Sequence, residues 1–464
     1  MKTIRATIVV AAVLLAVSLA ANVKEVASPA TPKVKIITLK QSQEMAARNN
    51  PSLKNVGETV YQADKVINSA WSMLLPNLSA KGNLIRNQKE IALDFPDPSA
   101  MDPSDTDPPD TDEPIPTQRT VIQEKWGKSF GFTANMTLFN ARSIPLIKYA
   151  YDDADRTRLK AKRLRNDLLF AVTNAYYQVN SMREMIAVQE ENLNIAKEFH
   201  RLSLARVQAG QSTSIDVLRA EIRVMDAQKG LANAEDAHRM AKTGLSYLIG
   251  IEGEYEVAGP EQVKSVEGDL EKLKNRALKD RVDIKEAEMT EKMAARLKNE
   301  TWMKWIPVFD VTYDWSWNSA AGFAGENDSW MLIFGAKWSL LEGGGRIAEL
   351  KTRESQIRMA KNSLDQLTLD IKQNVEQSYL DVNKQKRNVD FADKQVALAE
   401  ENHKLIARQF EVGLATSLDL LTAATELATK RNTRVMERLQ YDIAMLTLRK
   451  VMGEYHSLSN VEPR

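Results

Sequence analysis

In the segment Phe309-Asp310-Val311-Thr312-Tyr313-Asp314-Trp315-Ser316-Trp317-Asn318, apolar and polar residues alternate without interruption. This period of two predicts a β-strand with one apolar and one polar face. A returning strand is predicted from Trp330 to Leu340, and a strand with related alternation from Phe130 to Leu138. The partner of the latter, from Leu78 to about Arg86, has a weaker pattern. The chain is therefore predicted to contain two β-hairpins.

These hairpins are rich in aromatic residues, since all 8 tryptophans lie in or beside them. Amphipathic strands of about ten residues with many aromatics are typical of outer-membrane barrels. The alternative is that the tryptophans fill a core between sheet and helix. On the membrane interpretation, an aromatic belt is predicted at Phe130, Phe132, Trp315, Trp317, Trp330 and Trp338.

The number of strands predicts an assembly. Two hairpins supply four strands, whereas a membrane barrel closes with at least about eight. Unpaired strand edges cannot face lipid, because their backbone groups would have no hydrogen-bond partner. Several copies must therefore share one barrel, and three copies would supply twelve strands.

Long helices are predicted to make up most of the remaining chain. No Gly or Pro occurs from Leu146 to Ala209 or from Arg346 to Val412. Helices of this length would be about 95–100 Å long. Their narrow apolar stripes suit coiled-coil packing, and second helices are predicted over 214–249 and 417–452. A soluble coiled-coil rod would explain the helices equally well, but not the strands.

The chain is also duplicated. The segment from Gly210 to Ala220 aligns with that from Gly413 to Ala423, and Trp71 aligns with Trp302. A basic start, an apolar stretch and small residues before Ala21 predict a signal peptide. The predicted organisation is a signal peptide 1–20, an N-terminal extended segment 21–39, a first repeat 40–250, a linker 251–266, a second repeat 267–453 and a tail 454–464. The first repeat is predicted to contain a β-hairpin over about 77–139, with an acidic, Pro-rich extracellular loop at 94–118, and a helical hairpin over 140–250. The second repeat is predicted to contain a β-hairpin over about 308–341 and a helical hairpin over 343–453.

The composition excludes several classes of function. With Cys 0 and His 4, the chain has no thiolate zinc site, iron–sulfur cluster or cysteine nucleophile. A net charge of +1 gives no global field that would attract nucleic acid. No hydrolase, zincin or P-loop motif is present, so the chain is predicted to be no enzyme, with no cofactor and no metal.

The order of elements resembles the TolC-like outer-membrane efflux proteins, also called outer membrane factors. The resemblance rests on the duplicated architecture, on Leu74-Leu75-Pro76 and on two Gly-x-x-Thr-Ser-x-Asp-x-Leu turns, and it covers essentially the whole mature chain. It implies a mainly α fold with membrane β-strands: a homotrimer with a twelve-stranded β-barrel, continued by a periplasmic α-helical barrel. It also implies the outer membrane of a Gram-negative bacterium, contact with outer-membrane lipid, a periplasmic membrane-fusion adaptor and an inner-membrane pump of RND or ABC type.

The resemblance assigns adaptor contacts at the periplasmic tip to both turns. They map to Gly210, Thr213, Ser214, Asp216, Leu218, Gly413, Thr416, Ser417, Asp419 and Leu421. The two acids would form rings around a threefold axis. Thr422 stands where some relatives carry a second carboxylate. Each Thr-x-x-Asp is also a capping box, which explains these acids without a rim role.

Two functions remain open at this stage. The first is an exit duct for efflux or type I secretion, and the second is a non-conducting, envelope-spanning coiled-coil scaffold. The polar faces of the strands favour the duct, because a non-conducting scaffold does not require a water-filled lumen.

Overall fold

A computed structural model describes residues 35–96, 117–259, 263, 266, 268–319 and 326–454. The predicted signal peptide lies outside these residues, as do most of the acidic loop, parts of the linker and nearly all of the tail. The helices are α1 (Leu39–Asn49), α2 (Pro51–Ser72), α3 (Ser143–Gln208), α4 (Ser214–Ile249), α5 (Leu270–Asp280), α6 (Val282–Met303), α7 (Gly345–Glu411) and α8 (Ser417–Val451). The strands are β1 (Lys35–Ile37), β2 (Asn77–Arg86), β3 (Ile91–Pro96), β4 (Thr117–Gln123), β5 (Trp126–Phe139), β6 (Tyr255–Val257), β7 (Val308–Asn318) and β8 (Asp328–Lys337).

The described residues divide into two compact units. The first contains residues 35–49, 172–259 and 396–439, and the second contains the rest. No helix in the described ranges is long and apolar enough to cross a bilayer.

A short parallel pair of strands organises the first unit. Strands β1 and β6 pair in register, with Ile36 opposite Glu256 and Ile37 opposite Val257. The buried Tyr176 hydroxyl donates to the carbonyl oxygen of Ala258 at 2.8 Å. At these two places the sequence predicted only an extended segment and a linker. Parallel strands need a long crossover, so their pairing joins parts of the chain that are distant in sequence.

The core of the second unit lies between helices. Buried side chains of α5 and α6 pack against α7 and α8 there: Leu273, Ala277, Ile284, Ile371, Val375, Val382, Ala444, Met445, Leu448 and Met452. Each is aliphatic or small, so the cluster follows the narrow stripes that helical periodicity predicted. A core of this kind leaves the adjoining sheet without helical cover on its apolar face, where many large side chains remain exposed.

The second unit also contains an antiparallel sheet with the strand order β2-β5-β7-β8. The predicted two hairpins and four strands are therefore confirmed. The predicted returning strand is too long, because β8 ends at Lys337 while Trp338 and Leu340 lie beyond it. The first hairpin contains a further ribbon, in which β3 pairs with β4 in a separate two-stranded sheet. This ribbon was not predicted.

Candidate functional site

The four-stranded sheet has one apolar face. Phe132 stands opposite Trp315 across β5 and β7, and Trp315 stands opposite Trp330 across β7 and β8. The rings of Phe132 and Trp315 are stacked with centroids 5.9 Å apart. Phe130 and Phe334 lie on the same face, and both are exposed. An apolar surface of this extent marks a contact with a membrane or with another protein.

Of the predicted belt, Phe130, Phe132, Trp315, Trp317 and Trp330 lie in strands, on this one face. Trp338 follows the end of β8. The contact of this belt with lipid stays a prediction.

The opposite face of the sheet is polar and hydrogen-bonded on β5 and β7, whereas β8 adds Met331 and Ile333 to it. The Thr133 hydroxyl donates to Asp314 Oδ2 at 2.7 Å, and Asn135 Nδ2 donates to the Thr312 hydroxyl at 2.7 Å. These bonds join β5 to β7 through side chains as well as backbone. The two faces therefore differ in chemistry as the alternating sequence predicted.

The sheet has two open edges of equal length. Its outer strands, β2 and β8, have 10 residues each, and almost all of their residues are exposed. Within the described ranges, no strand pairs with the outer side of either one. A long, uncovered edge presents a row of backbone donors and acceptors that can pair with another chain.

Tight turns at two glycines connect the long helices of each repeat. Gly210 between α3 and α4 has φ 74°, and Gly413 between α7 and α8 has φ 83°. Both lie in the left-handed region, which glycine enters without steric cost. Backbone hydrogen bonds close both turns. The N–H of Gln211 donates to the carbonyl oxygen of Arg206, and the N–H of Leu414 donates to the carbonyl oxygen of Gln409, each at 2.8 Å. The glycines thus act as left-handed turn residues, as the sequence indicated.

Asp419 caps its own helix. Its Oδ2 accepts from the backbone N–H of Thr416 at 2.9 Å and from the Thr416 hydroxyl at 2.6 Å. The Asp419 N–H donates back to that hydroxyl at 3.2 Å, which completes a capping box. The Thr416 hydroxyl, with the backbone N–H, holds the pKa of Asp419 below its usual value.

Asp216 has more partners than its repeat equivalent. Its Oδ2 accepts from the Ser212 hydroxyl at 2.7 Å and from the Thr213 hydroxyl at 3.1 Å and N–H at 3.3 Å. Its Oδ1 accepts from the hydroxyl of Ser417, which belongs to the other turn. The hydrogen bonds from Ser417 and then Ser212 hold the pKa of Asp216 well below its usual value, against a smaller opposing effect of burial.

The structure therefore joins the two predicted turns through a hydrogen bond from Ser417 to Asp216. The remaining tip residues lie around it: Ser214 and Leu218 are exposed, while Leu421 packs against a cluster with Phe199 and Phe410. Asp216 and Asp419 therefore both cap their own helices, and Asp216 in addition contacts the other turn. The adaptor contact at this tip stays a prediction.

Two arginines make long-range contacts that the sequence did not predict, and each of them joins the two repeats. Arg206 donates to the carbonyl oxygen of Phe410 at 3.1 Å and lies 4.4 Å above the centre of its ring. Arg431, whose side chain is only 11% exposed, pairs with Glu191 and Glu400, each at 2.8 Å. Arginines are frequent on long polar helices, so nothing in the sequence distinguished these two from the other charged residues.

In the ranges that the structure describes, no group of three or more His, Cys, Asp or Glu side chains could hold a metal ion. The charged groups near the turns are instead used in caps and ion pairs. The arrangement offers a two-faced sheet with open edges and two linked helical turns.

Comparison with known proteins identifies this arrangement. The family model "Outer membrane efflux protein" matches residues 43–251 and 273–454. Protein CyaE of Bordetella pertussis is 23% identical over 295 residues, which is 62% of this chain and 62% of that protein. The chain thus spans about three fifths of the length of this curated relative.

Solved structures share the fold at low identity. The structure of CusC matches with a TM-score of 0.73 and 16% identity, covering 89% of this chain and 92% of that one. That of VceC from Vibrio cholerae matches with a TM-score of 0.67 and 15% identity, covering 89% and 96%. These likenesses confirm the predicted fold class.

The matched family consists of outer membrane efflux proteins, which are transport proteins rather than enzymes. The predicted localisation and the predicted lack of enzymatic activity are therefore confirmed. With its family model matching both repeats, this chain belongs to the outer membrane efflux protein family.

Proposed function

We propose that three copies of this chain form the exit duct of a tripartite efflux or type I secretion system. In this duct, substrates pass from an inner-membrane pump of RND or ABC type, through a periplasmic adaptor, to the cell exterior. The observation that carries the proposal is the sheet, with its apolar face, its polar face and its two open edges.

Strand direction supports closure between copies. Successive strands in the order β2-β5-β7-β8 are antiparallel, so β2 and β8 run in opposite directions. The β8 edge of one copy can therefore pair antiparallel with the β2 edge of the next. Three copies yield twelve strands with no free edge, which satisfies every backbone group in lipid.

The two faces support a conducting duct over a scaffold. Closure with the apolar face toward lipid puts Thr312 and Asp314 on the wall of the lumen, where water can solvate them. A scaffold that conducts nothing would gain no stability from a polar interior. Contact of the apolar face with outer-membrane lipid is part of this proposal.

The linked turns support an adaptor contact at the tip. Around the bond from Ser417 to Asp216 lie exposed apolar side chains, with Leu218 on one turn and Leu414 and Leu418 on the other. Apolar groups beside satisfied polar caps make a surface suited to a partner with a complementary helical tip. The acids then serve as caps and as part of the rim.

Two neighbouring residues of β8 provide the test. Leu332 lies on the apolar face and Met331 on the polar face, with exposures of 49% and 54%. A lysine on the lipid face costs about 2–4 kcal/mol near the bilayer midplane, whereas a lysine in the lumen changes ion selectivity. We therefore expect L332K to reduce the cross-linked trimer in purified outer membranes, and M331K to assemble normally.

Conductance in planar bilayers completes the test. M331K is expected to shift the reversal potential toward anions relative to the wild type. Equal assembly and unchanged selectivity of both variants would contradict the assignment of the faces. A stable trimer without conductance would favour the scaffold instead.

A further inference from the structure

We propose that β8 of one copy pairs with β2 of the next in the register that sets Asp328 opposite Arg86, and that these two residues form an ion pair between the copies. The contact between the two edge strands is called the seam below. The inference rests on the proposed function, since it presumes a barrel that several copies share. It goes further by specifying which residues of the two copies meet.

The equal length of the two free edges favours this register. Strands β2 (Asn77–Arg86) and β8 (Asp328–Lys337) have 10 residues each, so an antiparallel pair can use every one of them. Asn77 then lies opposite Lys337, and Arg86 lies opposite Asp328. A slip of two residues would leave two residues of each strand without a partner, and their backbone groups would stay unsatisfied beside lipid. A slip of one residue would put the apolar side chains of one strand on the wrong face.

The side chains along the two edges also fit this register. Even-numbered residues of both edge strands lie on the apolar face, since Ala80 on β2 stands opposite Phe132 and Trp330 on β8 stands opposite Trp315. The register sets even numbers opposite even numbers, so the apolar face continues across the seam. Residues directly opposite each other on one face are in contact range. Three such pairs combine a small side chain with a large one: Leu78 with Ala336, Ala80 with Phe334 and Gly82 with Leu332.

The resulting tilt of the strands agrees with that of a membrane barrel. The row of opposite residues that begins at Ala80 runs through Phe132, Trp315 and Trp330, and across the seam it meets Leu84 of the next copy. Each copy thus displaces the row by four residues. With strands about 4.8 Å apart and about 3.3 Å per residue, twelve strands then tilt by about 35°. Outer-membrane barrels have tilts of about 35–45°, whereas a slip that reduced the displacement by two residues would give only about 20°.

The charges at the outer end of the seam are complementary. Arg86 is the last residue of β2 and Asp328 the first of β8, and both are exposed. Neither belongs to an ion pair within the described part of the chain, and the Arg86 guanidinium lies 5.2 Å from the ring centre of Trp126. Opposite residues have Cβ atoms about 4.5–5.5 Å apart, which lets an arginine and a carboxylate form a charge-assisted hydrogen bond. In the registers slipped by two residues, the two charges no longer face each other.

Cysteine pairs can measure the register, because the chain has Cys 0. The variants A80C/F334C, A80C/L332C and A80C/A336C would be oxidised in purified outer membranes as full-length proteins. Within one chain these positions lie three strand spacings apart, about 14 Å, so a disulfide can form only between copies. Opposite residues have Cα atoms about 5.5 Å apart, within the limit of about 7 Å for a disulfide, whereas the slipped pairs lie about 7–8 Å apart.

We expect A80C/F334C to give a disulfide-linked trimer on a non-reducing gel, and the two slipped pairs to give little. Faster cross-linking of either slipped pair would overturn the register and leave the shared barrel intact. Assembled trimers without a disulfide in any of the three variants would overturn the pairing of β8 with β2. A monomeric wild type in the outer membrane would refute the proposed function itself, so the failures are distinguishable.

Charge variants test the ion pair separately. R86D and D328R should each lower the temperature at which the trimer dissociates, since each sets two like charges opposite each other at three seams. R86D/D328R should restore most of the loss, because the opposite charges then face each other in exchanged positions. K128Q and R86Q remove a positive charge from the same face and end of the sheet, but Lys128 lies on the inner strand β5.

We therefore expect R86Q to lower the dissociation temperature and K128Q to leave it unchanged. A double variant no more stable than R86D or D328R alone would overturn the ion pair. So would an equal loss in R86Q and K128Q, because the effect would then belong to the charge of the rim rather than to the seam.

Discussion

The hydrogen bond from Ser417 to Asp216 can be removed by a single substitution, S417A. The two turns carry Ser214 and Ser417 at equivalent positions of the repeat, which provides a matched control. Only Ser417 donates to an aspartate of the opposite turn among the described residues. The variant S214A therefore removes a hydroxyl in the same local setting without touching the contact between the turns.

The expected cost follows from the partners of the carboxylate. A hydrogen bond to a charged group contributes about 1.5–3 kcal/mol, and partial solvent access reduces this to about 1–2 kcal/mol here. After S417A, Oδ1 retains only the distant guanidinium of Arg219 at 3.9 Å, while Oδ2 keeps its capping bonds. A change of about 1–2 kcal/mol corresponds to roughly 5–30-fold in the opening equilibrium.

Hydrogen–deuterium exchange of the assembled protein measures this opening. We expect amides in the first turn of α4 to exchange roughly 5–30 times faster in S417A than in the wild type. In S214A the free energy of this opening should change by less than about 0.5 kcal/mol, so the exchange rates should stay close to those of the wild type. Equal acceleration in both variants, or in neither, would refute the view that the bond to Asp216 holds the turns together.

The same bond predicts a pH dependence. The pKa of Asp216 in the folded protein lies below the ordinary 3.8, chiefly because of Ser417. The stabilisation is therefore complete above pH 3.8 and decreases as the pH falls through the lowered pKa. Wild type and S417A should differ at neutral pH and converge in acid; a difference that grows on acidification would contradict this assignment.

Further expectations concern the stability of each unit, measured as heat-induced loss of helical circular dichroism. G250A should destabilise by at least about 1–2 kcal/mol, because this glycine has φ 65° and an added Cβ would lie 2.9 Å from Asn49. G244A lies within α4 with open space around it, so it should instead stabilise by about 0.5–1 kcal/mol. D152L removes a buried carboxylate that pairs with Lys292 at 2.7 Å and with Arg296 at 3.0 Å. We expect a loss of about 2–3 kcal/mol, below the about 3–5 of fully buried pairs, because both cations keep partial access to water. A loss from G244A as large as that from G250A, or an unchanged melting profile for D152L, would contradict these explanations.

The sequence predicted the four long helices and the strands of the main sheet, whereas the four shorter helices were given no range. The helix α4 begins and ends at the predicted residues, Ser214 and Ile249. Such boundaries depend on neighbouring residues: a capping threonine and an acid begin the helix, and a left-handed glycine follows its end. The faces of β7 were equally predictable, because alternation along a strand is a local property.

Elements with a weak local pattern were missed or misplaced. The ribbon of β3 and β4 beside the acidic loop was not predicted, and the strand ending at Lys337 was extended to Leu340. Continued alternation favours a strand in sequence, but β7 begins at Val308, opposite Lys337, and offers no partner beyond it. Whether a segment belongs to a sheet depends on a neighbour as well as on its own residues.

Local patterning thus accounts for the helices, the two faces of the sheet and the repeat, since each depends on residues close together in the chain. Tertiary structure alone decided that Ile37 pairs beside Val257, that Ser417 reaches Asp216, and that Arg431 lies between Glu191 and Glu400. These contacts join residues far apart in sequence, and many other serines and charged residues could have formed similar ones. The packing of the long helices selects among them, because it brings only certain side chains within hydrogen-bonding distance.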